Sequence, residues 1–209
     1  MTSLWVLGGF VLGWALWGLF EYLLHRFAMH MLKGKGIMSR EHLEHHVLAQ
    51  WHWTPVFLAS WSGIVVVGSA AWFPLGWTVG GPWFGLAAAV GWTVGYFFYE
   101  YQHAMAHLRP PSHRYGWWLR RHHFHHHFGH PMANQGVSSS IWDHVFGTFE
   151  RPERVRVPRR LAMVWLVDAD GEVKPEYEHQ YVLVGQATTD DRSAALDRAR
   201  AFASVAPGE

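Results

Sequence analysis

Four groups of histidines carry the chemistry this sequence can do. His25 and His30 form H-x-x-x-x-H, His42, His45 and His46 form H-x-x-H-H, and His103 and His107 form H-x-x-x-H. The run RRHHFHHHF at 120–128 contains H-x-x-H-H in two registers, His122 with His125 and His126, or His123 with His126 and His127. Positions i, i+3 and i+4 share a helix face, so each H-x-x-H-H can aim three imidazoles at one point. Ten such rings exceed the needs of one tetrahedral zinc, and two metal ions are implied. The chain has no cysteine, which excludes thiolate zinc, iron–sulfur clusters, disulfides and cysteine nucleophiles. Any metal is therefore held through nitrogen or oxygen, and imidazole alone does not choose among iron, zinc and copper. A low-complexity surface tract would also be rich in histidine, but four groups beside the ends of apolar segments do not fit that reading.

The elements that must position these rings read as membrane helices. Half the 209 residues are apolar and 14 are tryptophan, while no charge occurs in residues 1–20 or 45–99. A spanning helix needs about 20 mostly apolar residues. Spans are predicted at 4–23, 54–73 and 83–101, with Pro74, Gly76, Gly80, Gly81 and Pro82 supplying the turn between the last two. The first segment lacks the basic start and small-residue cleavage site of a signal peptide. Arg26, Lys33, Lys35 and Arg40 follow the first span and Arg109, Arg114, Arg120 and Arg121 the third, so the positive-inside bias puts both histidine-bearing ends in the cytoplasm. Trp5, Trp51, Trp53, Trp72, Trp77, Trp83, Trp117 and Trp118, near span ends, are expected in interfacial belts. A net charge of +1 gives no field for nucleic acid.

The expected fold is mainly α. Residues 1–150 form an integral membrane domain of three to four transmembrane helices with a cytoplasmic histidine-rich metal site, and 151–209 a small cytoplasmic α+β appendage. In the appendage, Leu161–Val167 and Tyr181–Val184 are predicted to pair as a hairpin. A helix over Asp190–Ala203 puts Ala195, Leu196, Ala199, Phe202 and Ala203 on one face. Asp168–Gly171 resembles the start of a calcium loop but lacks its later acidic ligands, and is expected to be only a turn.

The histidine boxes in this order, followed by NQGVSSSIWDHVFGTF, resemble the fatty acid hydroxylase and sterol desaturase superfamily over about residues 20–150. Within it, RRHHFHHHF to VFGTF and GYFFYEYQHAMAH look most like the fatty acid or sphingolipid 2-hydroxylases. The resemblance implies a membrane enzyme that uses molecular oxygen and a pair of irons to attack an unactivated C–H bond of a lipid acyl chain. Reaction close to the carboxyl end is expected, because a metal pair just beyond the span ends meets carbons near the head group. By carry-over the ligands are His25, His30, His42, His45, His46, His103, His107, His123, His126 and His127. The family's spacing to the G-V-S-S string selects His123, His126 and His127 for the last box. Zinc is a possible substitute for iron.

Metal-bound imidazoles usually donate their second N–H to a carboxylate or carbonyl, and Glu21, Glu41, Glu44, Glu100 and Asp143 stand near the boxes as such outer partners. His52, His113, His130, His144 and His179 are expected in structural or surface roles. With a span at the start of the sequence, a fused N-terminal b-type cytochrome domain is not expected. A separate b-type cytochrome, ferredoxin or reductase is therefore the implied electron donor, docking on the basic cytoplasmic surface. Desaturation at the same two metals, and metal transport or binding through a histidine-rich loop, are the competing functions. Transport is disfavoured because the middle of each span holds no ionisable residue of the kind such sites use.

Overall fold

The computed structural model describes residues 3–207. Helix α1 (Ser3–Leu23) continues without a break into an eight-residue π-helix, Leu24–Met31, and is followed by α2 (Ile37–Leu48), α3 (Pro55–Gly80) and α4 (Pro82–Leu108). Then come α5 (Arg114–Phe128), the short α6 (Ile141–Val145), β1 (Val155–Pro158), β2 (Tyr181–Val184) and α7 (Asp191–Ala203).

Small residues let the long helices approach closely. A side chain at Gly9 would meet the backbone of Phe84, one at Gly13 that of Ala88, and one at Gly95 the ring of Trp17. Contacts that advance along both chains together mean that α1 and α4 run parallel, so their histidine-bearing C-terminal ends lie at the same end of the bundle. Helix α3 folds back on α4, with Gly76 against Gly85 and Gly68 against Trp92. Trp17, Trp92, Tyr96 and Tyr99 fill the space between them. Close approach through small residues is the usual packing device where lipid, not water, surrounds a helix.

Among the described residues, two helical segments, Ser3–Met31 and Leu58–Gly80, have the length and apolarity to cross a membrane. Their outer faces are apolar and exposed, as at Leu4, Val11, Val66, Val67 and Val79. Helix α4 is equally long but has many more buried positions. The turn expected over 73–82 is much shorter in the structure. Helix α3 runs through Pro74 and Gly76 to Gly80, and Gly81, at φ 82°, makes the reversal alone. Proline and glycine are tolerated inside apolar helices whose neighbours compensate the freed backbone groups, so their presence did not mark a break.

Residues after 150 also differ from expectation. The sheet is a parallel pair, β1 with β2, in which Val155 lies opposite Tyr181. Leu161–Val167 forms no strand. Met163, Trp165 and Leu166 instead insert into a core shared with Ala106, Leu119, Phe124 and Phe128, because Val155 and Val157 already occupy the strand position beside α5. The Asp168 turn is as expected, its Oδ1 accepting from the N–H groups of Asp170 and Glu172. Helix α7 forms at the predicted place, capped by Asp190, which accepts from Ser193 N. Its expected apolar face forms the contact only in part: Phe202 is half-buried with its ring against Gly34, whereas Leu196 is exposed and the buried residue is Asp197. That carboxylate pairs with Arg160, which decides how the helix docks.

The tryptophans divide. Trp5, Trp53, Trp77 and Trp83 are exposed at helix ends, whereas Trp72 packs on Trp92 and Trp118 stacks on His122.

Candidate metal centre

At the common end of α1 and α4, ten imidazoles fall into two groups. His25, His30, His42, His46 and His126 make one, and His45, His103, His107, His123 and His127 the other; within each, the ligand atoms lie within 4.8 Å of one another. These are the ten histidines that the boxes single out, and nine of them are buried.

Helix geometry explains the sorting. His103 and His107, four apart on α4, both enter the second group. In each H-x-x-H-H box, residues i and i+4 go to one group and i+3 to the other: His42 and His46 against His45, His123 and His127 against His126. The expectation that all three rings of a box meet at one point is thereby corrected. Positions i+3 and i+4 are about 100° apart on a helix, enough to straddle two adjacent sites. The rings of His46 and His127 stack across the boundary with centroids 4.1 Å apart. His25 and His30 are a separate case. Five residues along an α-helix turn through about 500°, leaving two rings about 140° apart. The wider π-helix over Leu24–Met31 brings both into one group, with centroids 5.1 Å apart.

Outer hydrogen bonds set the tautomers. His25 Nδ1 donates to the Gln135 carbonyl at 2.5 Å, His126 to Ala133 at 2.8 Å, and His45 and His107 to Gln50 and Ala49 at 3.1 Å. A carbonyl only accepts, so Nδ1 carries the proton and Nε2 is left with a bare lone pair. These bare nitrogens nevertheless face other imidazole nitrogens at 2.9–3.1 Å: His25 to His42, His126 to His46, His45 to His103 and His107 to His123. Burial holds His42, His46, His123, His126 and His127 well below the ordinary imidazole pKa, with neighbouring rings adding to the effect, and pushes His45 down to about 4. The rings are neutral and ready to donate lone pairs. Both nitrogens of His127 and Nδ1 of His123 are buried without a hydrogen-bond partner. Converging lone pairs and unsatisfied ring nitrogens in two groups of five fit two bound cations.

Backbone strain sits beside these contacts. Ala49, Asn134 and Ser204 all adopt left-handed φ values of 51–56°. Ala49 is itself a ring acceptor, Asn134 lies between the acceptors Ala133 and Gln135, and Ser204 Oγ is 3.2 Å from His30 Nδ1. Such conformations cost about 1–3 kcal/mol each and cluster where surrounding structure holds them for a purpose.

Of the last box, His123, His126 and His127 are the rings that fall within the two groups. His122 lies outside, stacked between Trp118 and Phe149, and His125 donates to Glu150 at 2.8 Å. The remaining histidines stay outside too. His113 caps α5 by accepting from Gly116 N, His130 contacts Glu150, His144 stacks on Phe149 and His179 lies against Trp117. His52 lines a cavity described below.

The five acids stand a step further from the rings than the spacing suggests, and the ring partners found are mainly backbone carbonyls. Asp143, fully buried, accepts from Gln135 N, Gly136 N and Thr148 Oγ1. It thereby fixes the loop whose Gln135 carbonyl orients His25. Glu21 accepts from the backbone and hydroxyl of Ser138, Glu41 from Thr54, and Glu44 pairs with Arg198.

The profile of the fatty acid hydroxylase family matches residues 10–148, the segment that supplies every one of these rings. The chain belongs to the fatty acid hydroxylase family. It is 34% identical to human fatty acid 2-hydroxylase over 158 residues, which cover 70% of this chain and 40% of the human protein. With the dihydroceramide fatty acyl 2-hydroxylase FAH1 of Arabidopsis thaliana it shares 31% over 147 residues, 66% of this chain and 59% of the relative. Among solved structures it resembles that of full-length Scs7p with only the hydroxylase domain visible, at a TM-score of 0.59 and 26% identity over 73% of this chain and 59% of that one. The chain thus spans about half the length of the relatives it matches.

In this fatty acid hydroxylase family member an apolar cavity opens beside the histidines. Its volume is about 130 Å³, with Trp17, Leu24, Leu48, Trp61 and Ile64 on its walls together with His42, His45 and His103. Glu21, Glu41, Glu44 and Glu100 line it as well. Sequence reasoning missed the residues that orient the rings from the backbone, Ala49, Gln50, Ala133 and Gln135. The NQG string holds one of them. It also missed Arg120, which is buried and ties α5 to α4 by donating to the carbonyls of Met105 and Arg109, and Ser204, for which no local pattern exists.

Proposed function

We propose that this chain hydroxylates the acyl chain of a membrane lipid near its carboxyl end, using molecular oxygen and two iron ions. The observation that supports this best is the convergence of ring nitrogens, in two groups of five histidines, beside an apolar cavity. Bound there, the irons would supply the activation of oxygen that attack on an unactivated C–H bond requires. The residues of the chain do the rest. His25, His30, His42, His46 and His126 would hold one ion, and His45, His103, His107, His123 and His127 the other, with Zn²⁺ able to replace iron during overproduction. Carbonyls of Ala49, Gln50, Ala133 and Gln135 keep the lone pairs of His107, His45, His126 and His25 inward. The walls of the cavity align an extended acyl chain and exclude water from the reacting carbon.

The balance is RH + O2 + two electrons + two protons giving ROH + H2O. The two electrons call for a donor, for which a separate b-type cytochrome, ferredoxin or reductase is the proposal. The relatives' activities, on fatty acids and ceramides, support a lipid acyl substrate. The apolar outer faces of α1 and α3 support a membrane location, and the arginines and lysines flanking the boxes support a cytoplasmic site and C-terminus.

Lipid mass spectrometry of cells with and without this protein, under labelled oxygen, tests the reading. One labelled oxygen atom in an acyl product is expected. A product lighter by two hydrogens assigns desaturation instead, and unchanged lipids with metal flux in reconstituted vesicles would overturn the enzyme reading altogether.

A further inference from the structure

A second hollow, of about 310 Å³, shares no residue with the cavity beside the histidines. Arg114, Trp117, Trp118 and Arg121 of α5 line it together with Phe149 and Arg151. Its charges do not balance. Arg114 and Arg151 are exposed and pair with no carboxylate among the described residues. Arg121 donates to the carbonyls of Pro152 and Glu153, but its Nε is buried without a partner. Burial, and then Arg151 beside it, disfavour its charged form. Glu150, the acid in the lining, is already shared between His125 and His130. Three guanidinium groups facing one engaged carboxylate leave an excess of positive charge and an unmet donor, both of which an anion relieves.

Ring contacts put this hollow beside the apolar spans. Tyr115, next to Arg114, stacks on Phe98 of α4, and Phe98 packs in turn on Trp14 of α1. From Tyr115 the stacking continues through Trp118 and His122 to Phe149 and then to His144 of α6. Helix α6 also lies against α1, with Phe146 stacked on Tyr22, and leaves Ile141 and Val145 exposed at 64% and 62%. Arginines and indoles bordered by exposed apolar side chains fit a molecule that is anionic at one end and oily at the other. Resting on the membrane location of the preceding subsection, we propose that the hollow binds the phosphate of an anionic phospholipid. Arg114, Arg121 and Arg151 donate to its oxygens, and its acyl chains run past α6. Inorganic phosphate meets the same donors but gains nothing from the apolar border, and the trimethylammonium of phosphatidylcholine is repelled by the arginines. Because α5 also carries His123, His126 and His127, a lipid bound there braces the helix of the last histidine box.

The test is equilibrium binding of radiolabelled dioctanoyl phosphatidic acid to the full chain in uncharged detergent, displaced by dioctanoyl phosphatidylcholine or by inorganic phosphate. One saturable site is expected, with both competitors at least about tenfold weaker, the worth of one charged hydrogen bond. Arg114→Gln combined with Arg151→Gln removes two such donors and should weaken binding by about a hundredfold. Lys33→Gln combined with Lys35→Gln removes the same charge from another exposed loop and should leave binding unchanged. Either competitor binding the wild type as tightly as phosphatidic acid overturns the proposal without needing any variant to fold. Equal losses in the arginine and lysine variants overturn it too, since they reveal a general response to charge. If phosphatidic acid does not bind but the soluble domain of a b-type cytochrome does, and the arginine variant abolishes that, the hollow is a protein dock and the lipid proposal falls. No outcome is read from turnover, so the hydroxylase reading stands or falls by its own test.

Discussion

Four imidazoles of the centre, His25, His45, His107 and His126, pair an inward-facing Nε2 with an outward bond from Nδ1, and single substitutions should separate those roles. His126→Ala removes a ring from the first group and His123→Ala or His127→Ala one from the second. Each variant should retain one ion instead of two by elemental analysis and form no product. His125→Ala, which only releases Glu150, should keep both ions and most activity. A His125→Ala variant as depleted as His126→Ala would sink the register. Asp143 acts at one remove. Replacing it with Asn leaves the fold intact but weakens its grip on the Gln135 and Gly136 N–H groups. A loss of about 10- to 100-fold in activity or metal affinity is expected, as for other residues that orient a ligand. An unchanged metal affinity would reduce Asp143 to a loop brace.

At the scale of elements, the parallel packing of α1 and α4 decides whether His25 and His30 meet His126. Gly13 packs directly on the backbone of Ala88 and Gly91 on that of Phe10. Gly13→Val would wedge the pair apart, an overpacking that costs about 1–3 kcal/mol. The melting temperature should fall, and the first metal group should load less completely than the second. Equal loading of both groups would show that α1 is positioned by other contacts. The elements were unevenly legible in the sequence. Uncharged runs revealed α1, α3 and α4, and i, i+3, i+4 spacing placed the rings of α2 and α5 on one face. The π-helix at Leu24–Met31 was hidden, because five-residue spacing reads as two different faces of an α-helix. The continuation of α3 through Pro74 was hidden by residues that usually end helices in water. The pairing of β1 with β2 was hidden too, since Val155–Pro158 is short and Leu161–Val167 has the stronger strand composition. What decided it was long-range packing against α5.

For the whole molecule, the centre lies between the helical bundle and a C-terminal cap, and both faces keep it neutral and dry. In the metal-free protein the unfolded chain takes up protons at the ordinary imidazole value of 6.5, whereas folded His45 does so only at about 4 and burial holds His42 and His126 well below the ordinary value too. The unfolded state therefore binds more protons below pH 6.5, and stability falls as pH drops from 6.5 toward 4. Above that window these groups contribute no slope. A melting temperature of the metal-free protein that stays flat from pH 7 to about 4.5 would contradict the burial of neutral rings. The cap is held by α7, through Arg160 on Asp197 and Arg198 on Glu44. It brings Ser204 to His30 and the Arg200–Val205 turn over His46 and His127. Asp197 is buried, so Asp197→Ala leaves the Arg160 guanidinium without its partner and should loosen α7 while leaving the bundle folded. Metal should then be lost faster to an external chelator, with the number of ions bound at equilibrium still two. Ser204→Ala, which removes one hydrogen bond but leaves the cap docked, should accelerate loss much less. Equal chelation rates for wild type and Asp197→Ala would mean that the ions exchange through the lipid-facing cavity and that α7 does not guard them.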